Sequence, residues 1–211
     1  MQIGIFFCSY IMEIKIAIQG IQGSFHHQVA HRYFGGAIGL DECVTFRDVA
    51  NSLKNNQSDK AIMAIENSIA GAILPNYALI DSYDLHIIGE HFLDIHMNLM
   101  VFPGQTIEEI QEVHSHPIAL LQCANFFSQY PHIKLVESSD TAIAAKRIQE
   151  NQLKGIGALA GPVASEIYNL EIIADGIHTV KSNKTRFVVL KASNKEIPKE
   201  LINKASIKFE L

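Results

Sequence analysis

Residues 181–190, KSNKTRFVVL, set four polar side chains, Asn183, Lys184, Thr185 and Arg186, directly before the apolar run Phe187 to Leu190. The run reads as a buried strand. A plain turn at its mouth calls for Gly or Pro more than for this set of donors. Four further junctions are rich in small polar residues: GIQGSF (20–25), ENSIAG (66–71), HSHP (114–117) and SSDT (138–141). In α/β sheets ligands bind beyond the carboxyl ends of strands, where helix N-termini present free N–H groups, so each junction suits a carboxylate or a phosphate.

The junctions differ in what they offer. GIQGSF is not GxGxxG and lacks the Lys-Ser/Thr ending of a P-loop; Ser24 reads either as a helix cap or as a ligand contact. In ENSIAG, Asn67 or Ser68 can cap, while Glu66 falls at a strand end facing a cleft, as a base or hydrogen-bond acceptor. HSHP places His114 and His116 on one face of a strand, but no acid or third histidine completes a ligand set, so no metal is expected. Ser115, Gln122 and Cys123 read as a polar pocket edge, and nothing like GxSxG makes Ser115 a nucleophile. SSDT reads as a helix start capped by Ser138 or Ser139, with Asp140 favourable in the first turn. The histidines at 26, 27, 31, 91, 96, 132 and 178 share no spacing and read as structural or exposed.

Short apolar runs alternating with amphipathic stretches must position these residues. KIAIQG, CVTF, KAIMAI, EVHSH, IKLVES, IGALA, EIIADGI and TRFVVLK read as strands. HHQVAHRYF, RDVANSLKN, PIALLQCANFFSQY, DTAIAAKRIQEN and GPVASEIYN read as helices, and AILPNYALIDSY as a helix interrupted by Pro75. LHIIGEHFLDIHMNLMVF reads as two strands, or as one with a break near Glu90. Repeated β-α-β units predict parallel sheets covered by helices. A single sheet of about nine or ten strands is large for this length, so two α/β lobes are expected. The chain would cross between them around residues 86–101 and return through DGIHTVKSNK, leaving a cleft between the lobes.

The bulk numbers bound the function class. The chain has 211 residues, is 48% hydrophobic and 18% charged, and carries a net charge of −5. That is globular composition without a polyanion-binding surface, so no nucleic-acid partner is expected. No apolar run reaches the roughly 18 residues of a membrane span. Cys8, Cys43 and Cys123 form no CxxC pair, which fits a reducing, cytoplasmic setting. MQIGIFFCSYI has no basic n-region of a signal peptide. Residues 1–11 read as an extension before a fold that begins near Met12.

Six ordered segments resemble prephenate dehydratase: GIQGSFHHQVA, AIENSIAGAI, GEHFLDIHMNLM, VHSHPIALLQC, SSDTAIAAKRI and NKTRFVVL. The resemblance covers nearly all of residues 15–190. It implies two α/β lobes like the periplasmic type-II solute-binding fold, with the active site between them. Lobe 1 is expected at 12–91 plus 173–192 and lobe 2 at 92–172. KASIKFEL, residues 204–211, is similar to the first strand of an ACT regulatory domain, so 193–211 reads as linker and truncated ACT start. No chorismate mutase segment is expected before the domain.

The implied reaction is a carbon–oxygen lyase step in phenylalanine biosynthesis, in which prephenate loses water and carbon dioxide to give phenylpyruvate. No cofactor or metal is implied. The family's essential threonine falls on Thr185, implied as acid or hydrogen-bond donor to the departing hydroxyl, with Glu66 as the second catalytic group. Glu66, Asn67 and Ser68 would form one wall, Ser115 and Gln122 another, and Thr141 a contact in the second lobe. Ser24 and Asn183 complete the substrate-binding set, and Arg186 either binds a carboxylate or braces the loop. His26 and Ile118 depart from the family pattern at positions expected on the pocket rim. Prephenate is a dianion, and several serine- or threonine-bearing helix starts can cradle it without a basic patch. The expected partners are a second or further copies of the chain, as homodimer or homotetramer, with phenylalanine as effector only where a full ACT domain is present. Two alternatives accompany this reading: an arogenate dehydratase, and a two-lobed binding protein without catalysis.

Overall fold

In a computed structural model, residues 13–193 and Lys204 are described. The expected N-terminal extension up to residue 11 and, Lys204 apart, the expected ACT strand lie outside them. β1 (Ile14–Gln19), β2 (Ile38–Cys43), β3 (Lys60–Asn67), β4 (Gly71–Ala72) and β5 (His86–Asp94) form one sheet with β11 (Lys184–Lys191). Its order is β2-β1-β3-β11-β5, with β4 on β3. The second sheet, β10-β6-β9-β7-β8, comprises β6 (Asn98–Val101), β7 (Glu112–Ser115), β8 (Lys134–Glu137), β9 (Ile156–Ala160) and β10 (Glu171–Ala174). The helices are α1 (Phe25–Phe34), α2 (Phe46–Lys54), α3 (Leu74–Ser82), α4 (Pro117–Gln122), α5 (Ala124–Phe127), α6 (Thr141–Glu150) and α7 (Pro162–Ile167). The two-lobe α/β expectation thus holds.

The lobe boundaries move. β5 stays in the first sheet as far as Asp94, and β10 pairs with β6 in the second. The crossings are therefore residues 95–97 and 175–183, within the expected 86–101 and DGIHTVKSNK, and the boundaries expected at 91/92 and 172/173 shift to them. Glu90 is no break: it sits mid-strand opposite Val188. The sheets are also mixed. β1 runs parallel to β2 and β3, and β7 to β8 and β9. The strand that follows each crossing runs the other way: β11 is antiparallel to β3 and β5, and β6 to β9 and β10. A crossover helix is what keeps successive strands parallel; the two crossings carry none.

Helix starts follow their local chemistry, with some shifts from expectation. Thr45 and Asp48 form a reciprocal capping box on α2, so the strand expected at CVTF ends at Cys43. Pro75 lies in the first turn of α3, where its missing N–H costs nothing, and does not interrupt the helix. The helix after His116 divides at Cys123. His116 itself leaves the strand and caps α4, its ring accepting from Ile118 N–H, so it shares no strand face with His114. Asp140, rather than Ser138 or Ser139, caps α6.

Among the described residues, three apolar clusters form the core. One joins the facing sides of both lobes through Ile16, Ile62, Phe187, Leu99, Val113 and Leu159. The other two cover the outer faces, around Ala61, Met63 and Val188 in lobe 1 and around Met100, Ala158 and Ala160 in lobe 2. Among the described residues, no helix is long and apolar enough to cross a membrane.

α1 buries two histidines, His26 and His27, and burial lowers both pKa values to about 4. The unfolded chain takes up these protons near pH 6.5, while the folded chain resists them until about pH 4. Stability is therefore expected to fall as pH is lowered through that window, by about 3 kcal/mol for His26 alone. Denaturation midpoints measured from pH 7 to 4 should show it, with a shallower slope in His26→Gln.

Candidate active site

β3 and β11 lie side by side and antiparallel, so β3 ends where β11 begins, and the residues at that edge form a connected polar cluster. Asn67 is opposite Thr185 in the ladder. The Asn67 amide donates to Thr185 Oγ1 at 2.9 Å and to Asn183 Oδ1 at 2.8 Å. Asn183 in turn donates to Gln122 Oε1 at 3.0 Å, bringing the end of α4 into the network. The orientation of Asn67 is fixed by its own turn: Oδ1 accepts from the N–H groups of Ile69 and Ala70, each at 3.0 Å. Asn183 and Thr185 are buried, at 1% and 8% exposure.

This arrangement defines what Thr185 can do. Its oxygen accepts a hydrogen bond, which leaves the hydroxyl hydrogen available to another oxygen. An N–H donated to a hydroxyl oxygen polarises it and makes its own proton a better donor. Asn67 thus prepares Thr185 to hydrogen-bond an oxygen that is accumulating charge.

Ser68 stitches the same corner. Its hydroxyl donates to the Ser182 carbonyl at 3.1 Å and accepts from Lys184 N–H at 2.9 Å, while its own N–H reaches the Lys184 carbonyl at 2.8 Å. With its hydroxyl engaged by backbone on both sides, Ser68 shapes the loop rather than presenting a free ligand.

Glu66 and Arg186 are drawn away from Thr185. Along β11, Thr185 shares a face with Phe187 and Val189, and Arg186 shares the other with Val188 and Leu190, because side chains alternate. Arg186 lays Nε and Nη2 on one oxygen of Glu90, at 3.0 and 2.8 Å, and approaches Glu66 at 3.7 Å. Its guanidinium also lies over the Phe92 ring, 5.9 Å from the centroid. Of the two roles expected for Arg186, the bracing one matches this geometry. Glu66, expected at the cleft as a base, sits on the side of the sheet that carries Arg186. Glu66 pairs with Arg186 and the next residue alternates to the other face, so Asn67 takes the place beside Thr185.

The other expected residues fall at the seam between lobes or behind it. Ser24 caps α1, accepting from His27 N–H at 3.2 Å. Thr141 opens α6 and is buried. These two helix starts face each other: a Cβ on Gly20, whose φ is +90°, would sit 3.3 Å from both Asp140 Oδ2 and Ser24 Cβ. Asp140 spends one oxygen on Ala142 and Ile143 N–H, and burial raises its pKa against the pull of those donors and of His116. Tyr168 closes the seam further along by donating to the Gln22 carbonyl at 2.6 Å. Ser115 is fully buried, and its hydroxyl donates to the Leu159 carbonyl at 2.7 Å, tying β7 to β9 instead of lining a wall. A cavity of about 470 Å³ beside the seam is lined by Ile21, Gln22, Leu40, Glu42, Lys146 and Tyr168, none of them in the Thr185 cluster. Among the described residues no group of three or more His, Cys, Asp or Glu is placed to hold a metal ion.

Sequence reasoning missed Asn76 and did not give His26 its partner or Asp140 its capping place. His26, expected on the rim, is buried with its Nε2 accepting from Ala64 N–H at 3.3 Å. Asn76 donates to the Ala64 carbonyl at 2.8 Å. The signal for this pair is a break in a strand ladder, which no local sequence pattern announces.

The fold and cluster define a two-lobed α/β protein with a hydroxyl–amide site where one lobe's strands end. The chain matches the family model for prephenate dehydratase over residues 16–195, and it belongs to that family. It is 32% identical over 209 residues to a bifunctional chorismate mutase/prephenate dehydratase of Buchnera aphidicola subsp. Acyrthosiphon pisum (strain APS), covering 96% of this chain and 54% of that protein. It is 35% identical over 178 residues to arogenate dehydratase/prephenate dehydratase 6, chloroplastic, of Arabidopsis thaliana, covering 84% of this chain and 43% of that one. A solved structure described as GqqA, a novel type of quorum quenching acylase, superposes with a TM-score of 0.77 at 29% identity, covering 87% of this chain and 66% of that one. The chain spans about half the length of the curated relatives it matches.

Proposed function

We propose that this chain catalyses the decarboxylating dehydration of prephenate to phenylpyruvate. The ring carboxylate leaves as carbon dioxide, its bonding electrons enter the ring, and the C–O bond to the ring hydroxyl breaks. The departing oxygen takes one proton and leaves as water. Aromatisation supplies much of the driving force, so the protein must orient the ring and stabilise the leaving oxygen. The observation that carries this reading is the Asn67–Thr185 bond, which turns the threonine hydroxyl into a donor without occupying its proton. Asn183 and Gln122 hold the amide pair in place.

Arogenate is the second reading, since one curated relative is named for both substrates. It differs by an amino group in place of the keto group, away from the atoms that leave. An acyl-transfer reading has less support, because the hydroxyls of Ser24, Ser68 and Ser115 are engaged with backbone and none is bonded to a base. A cytoplasmic location and a homo-oligomeric assembly belong to the same proposal. The test is ultraviolet detection of phenylpyruvate from prephenate, run beside phenylalanine detection from arogenate. Prephenate turnover is expected to dominate. Turnover of arogenate alone would reassign the substrate, and turnover of neither would refute the dehydratase reading.

A further inference from the structure

The ladder that carries Asn67 is irregular just before it. β1 pairs with β3 only as far as Ile18 opposite Ile62. β11 pairs Phe187 with Ala64 and Arg186 with Glu66, so Ile65 is passed over. β4 pairs with β3 only at Glu66 and Asn67. At this break two buried side chains serve the backbone of one residue: His26 Nε2 accepts from Ala64 N–H at 3.3 Å, and Asn76 donates to the Ala64 carbonyl at 2.8 Å. They come from different helices, α1 and α3, and are 8% and 2% exposed. The His26 ring also stands edge-on to Phe187, with centroids 5.0 Å apart. Phe187 lies on the Thr185 face of β11, two residues away.

We propose that His26 and Asn76 are positioning residues for the reaction: they hold the β3 irregularity that places the Asn67 amide on the Thr185 hydroxyl. The inference rests on the dehydratase reading of that hydroxyl. Its physical basis is strand parity. Removing a one-residue irregularity exchanges the faces of every residue beyond it. A β3 that relaxed into regular register would turn Asn67 away from Thr185 and bring Glu66 toward it. What opposes relaxation is a buried N–H and a buried C=O that already have partners; a ladder without those partners must find others. An apolar residue at 26 fills the volume but cannot accept from Ala64. The His26 acceptor is Nε2, so its proton sits on Nδ1.

The experiment combines turnover with an observation on the resting protein. His26→Leu is expected to lower kcat for prephenate about tenfold to a hundredfold with KM changed less than about twofold. His26→Gln, whose carbonyl oxygen reaches the place of Nε2, is expected to recover most of that loss. Asn76→Leu should resemble His26→Leu. Long-range proton–nitrogen spectra of the wild-type protein should show His26 as the Nδ1–H tautomer. A folded His26→Leu with unchanged kcat overturns the proposal, as does a loss confined to KM, or an Nε2–H tautomer in the wild type. That spectrum decides the matter even where a variant does not fold. A wild type inactive on both substrates would instead refute the dehydratase reading, a failure separate from the tautomer result.

Discussion

Thr185→Ala is expected to lower kcat for prephenate by at least about a hundredfold, the scale of removing one preorganised donor from a leaving group. The substitution costs little as packing. It removes a methyl and a hydroxyl from a site at a strand end, and Asn67 keeps Asn183 as an acceptor at 2.8 Å. Folding should therefore survive, and the loss should appear in turnover. Two companions separate hydroxyl from shape. Thr185→Val keeps the branching and is expected to be as poor as alanine. Thr185→Ser keeps the hydroxyl, within reach of the same Asn67 amide, and should retain much of the activity. Phenylpyruvate absorbance with saturating prephenate measures all three. Near-normal kcat in Thr185→Ala, with the protein folded, would remove Thr185 from the chemistry.

The strands and helices were legible because their residues obey local rules. Alternating apolar runs marked β1, β3 and β11, and polar junctions marked the ends where the cluster forms. What local rules cannot carry is direction and parity. The sequence pattern of β11 is that of any buried strand; only the crossing at 175–183 makes it run against β3. The first lobe boundary was placed too early for a related reason. His86 to Asp94 shows little apolar contrast, so a polar Glu90 looked like a break, although it is the partner that Arg186 needs on that face.

The site was legible as a set of segments and not as an arrangement. ENS and NKTRF were both singled out, yet sequence proximity grouped Glu66 with Asn67 as one wall. Strand alternation separates them, sending Glu66 to Arg186 and Asn67 to Thr185. Ser115 looked like a ligand because it is a hydroxyl near a helix start. Its spacing put it inside β7, where the nearest acceptor is the carbonyl of Leu159 on the next strand. His26 was set aside because a lone histidine on a helix carries no pattern. Its role is defined by Ala64, 38 residues away.

Asn67→Asp is expected to lower kcat about a hundredfold or more while leaving the fold close to intact. The change is nearly isosteric, and the half of the side chain that builds the turn is preserved: an oxygen still accepts from Ile69 and Ala70 N–H. The other half is inverted. Where an N–H donated to Thr185 Oγ1 and Asn183 Oδ1, an oxygen now faces both. The carboxylate will draw the Thr185 hydroxyl hydrogen to itself, so the proton that should meet the leaving oxygen is already spent. A negative charge beside the departing hydroxyl adds to the barrier, since charge grows there in the transition state. Asn67→Ala would lose the turn as well and so confuse positioning with folding; the acid does not. Matched thermal midpoints with a collapsed kcat would place the effect in the chemistry. A variant that keeps more than about a third of wild-type kcat would mean that Thr185 does not depend on the Asn67 amide. The reading of the hydroxyl as a prepared donor would then fall with it.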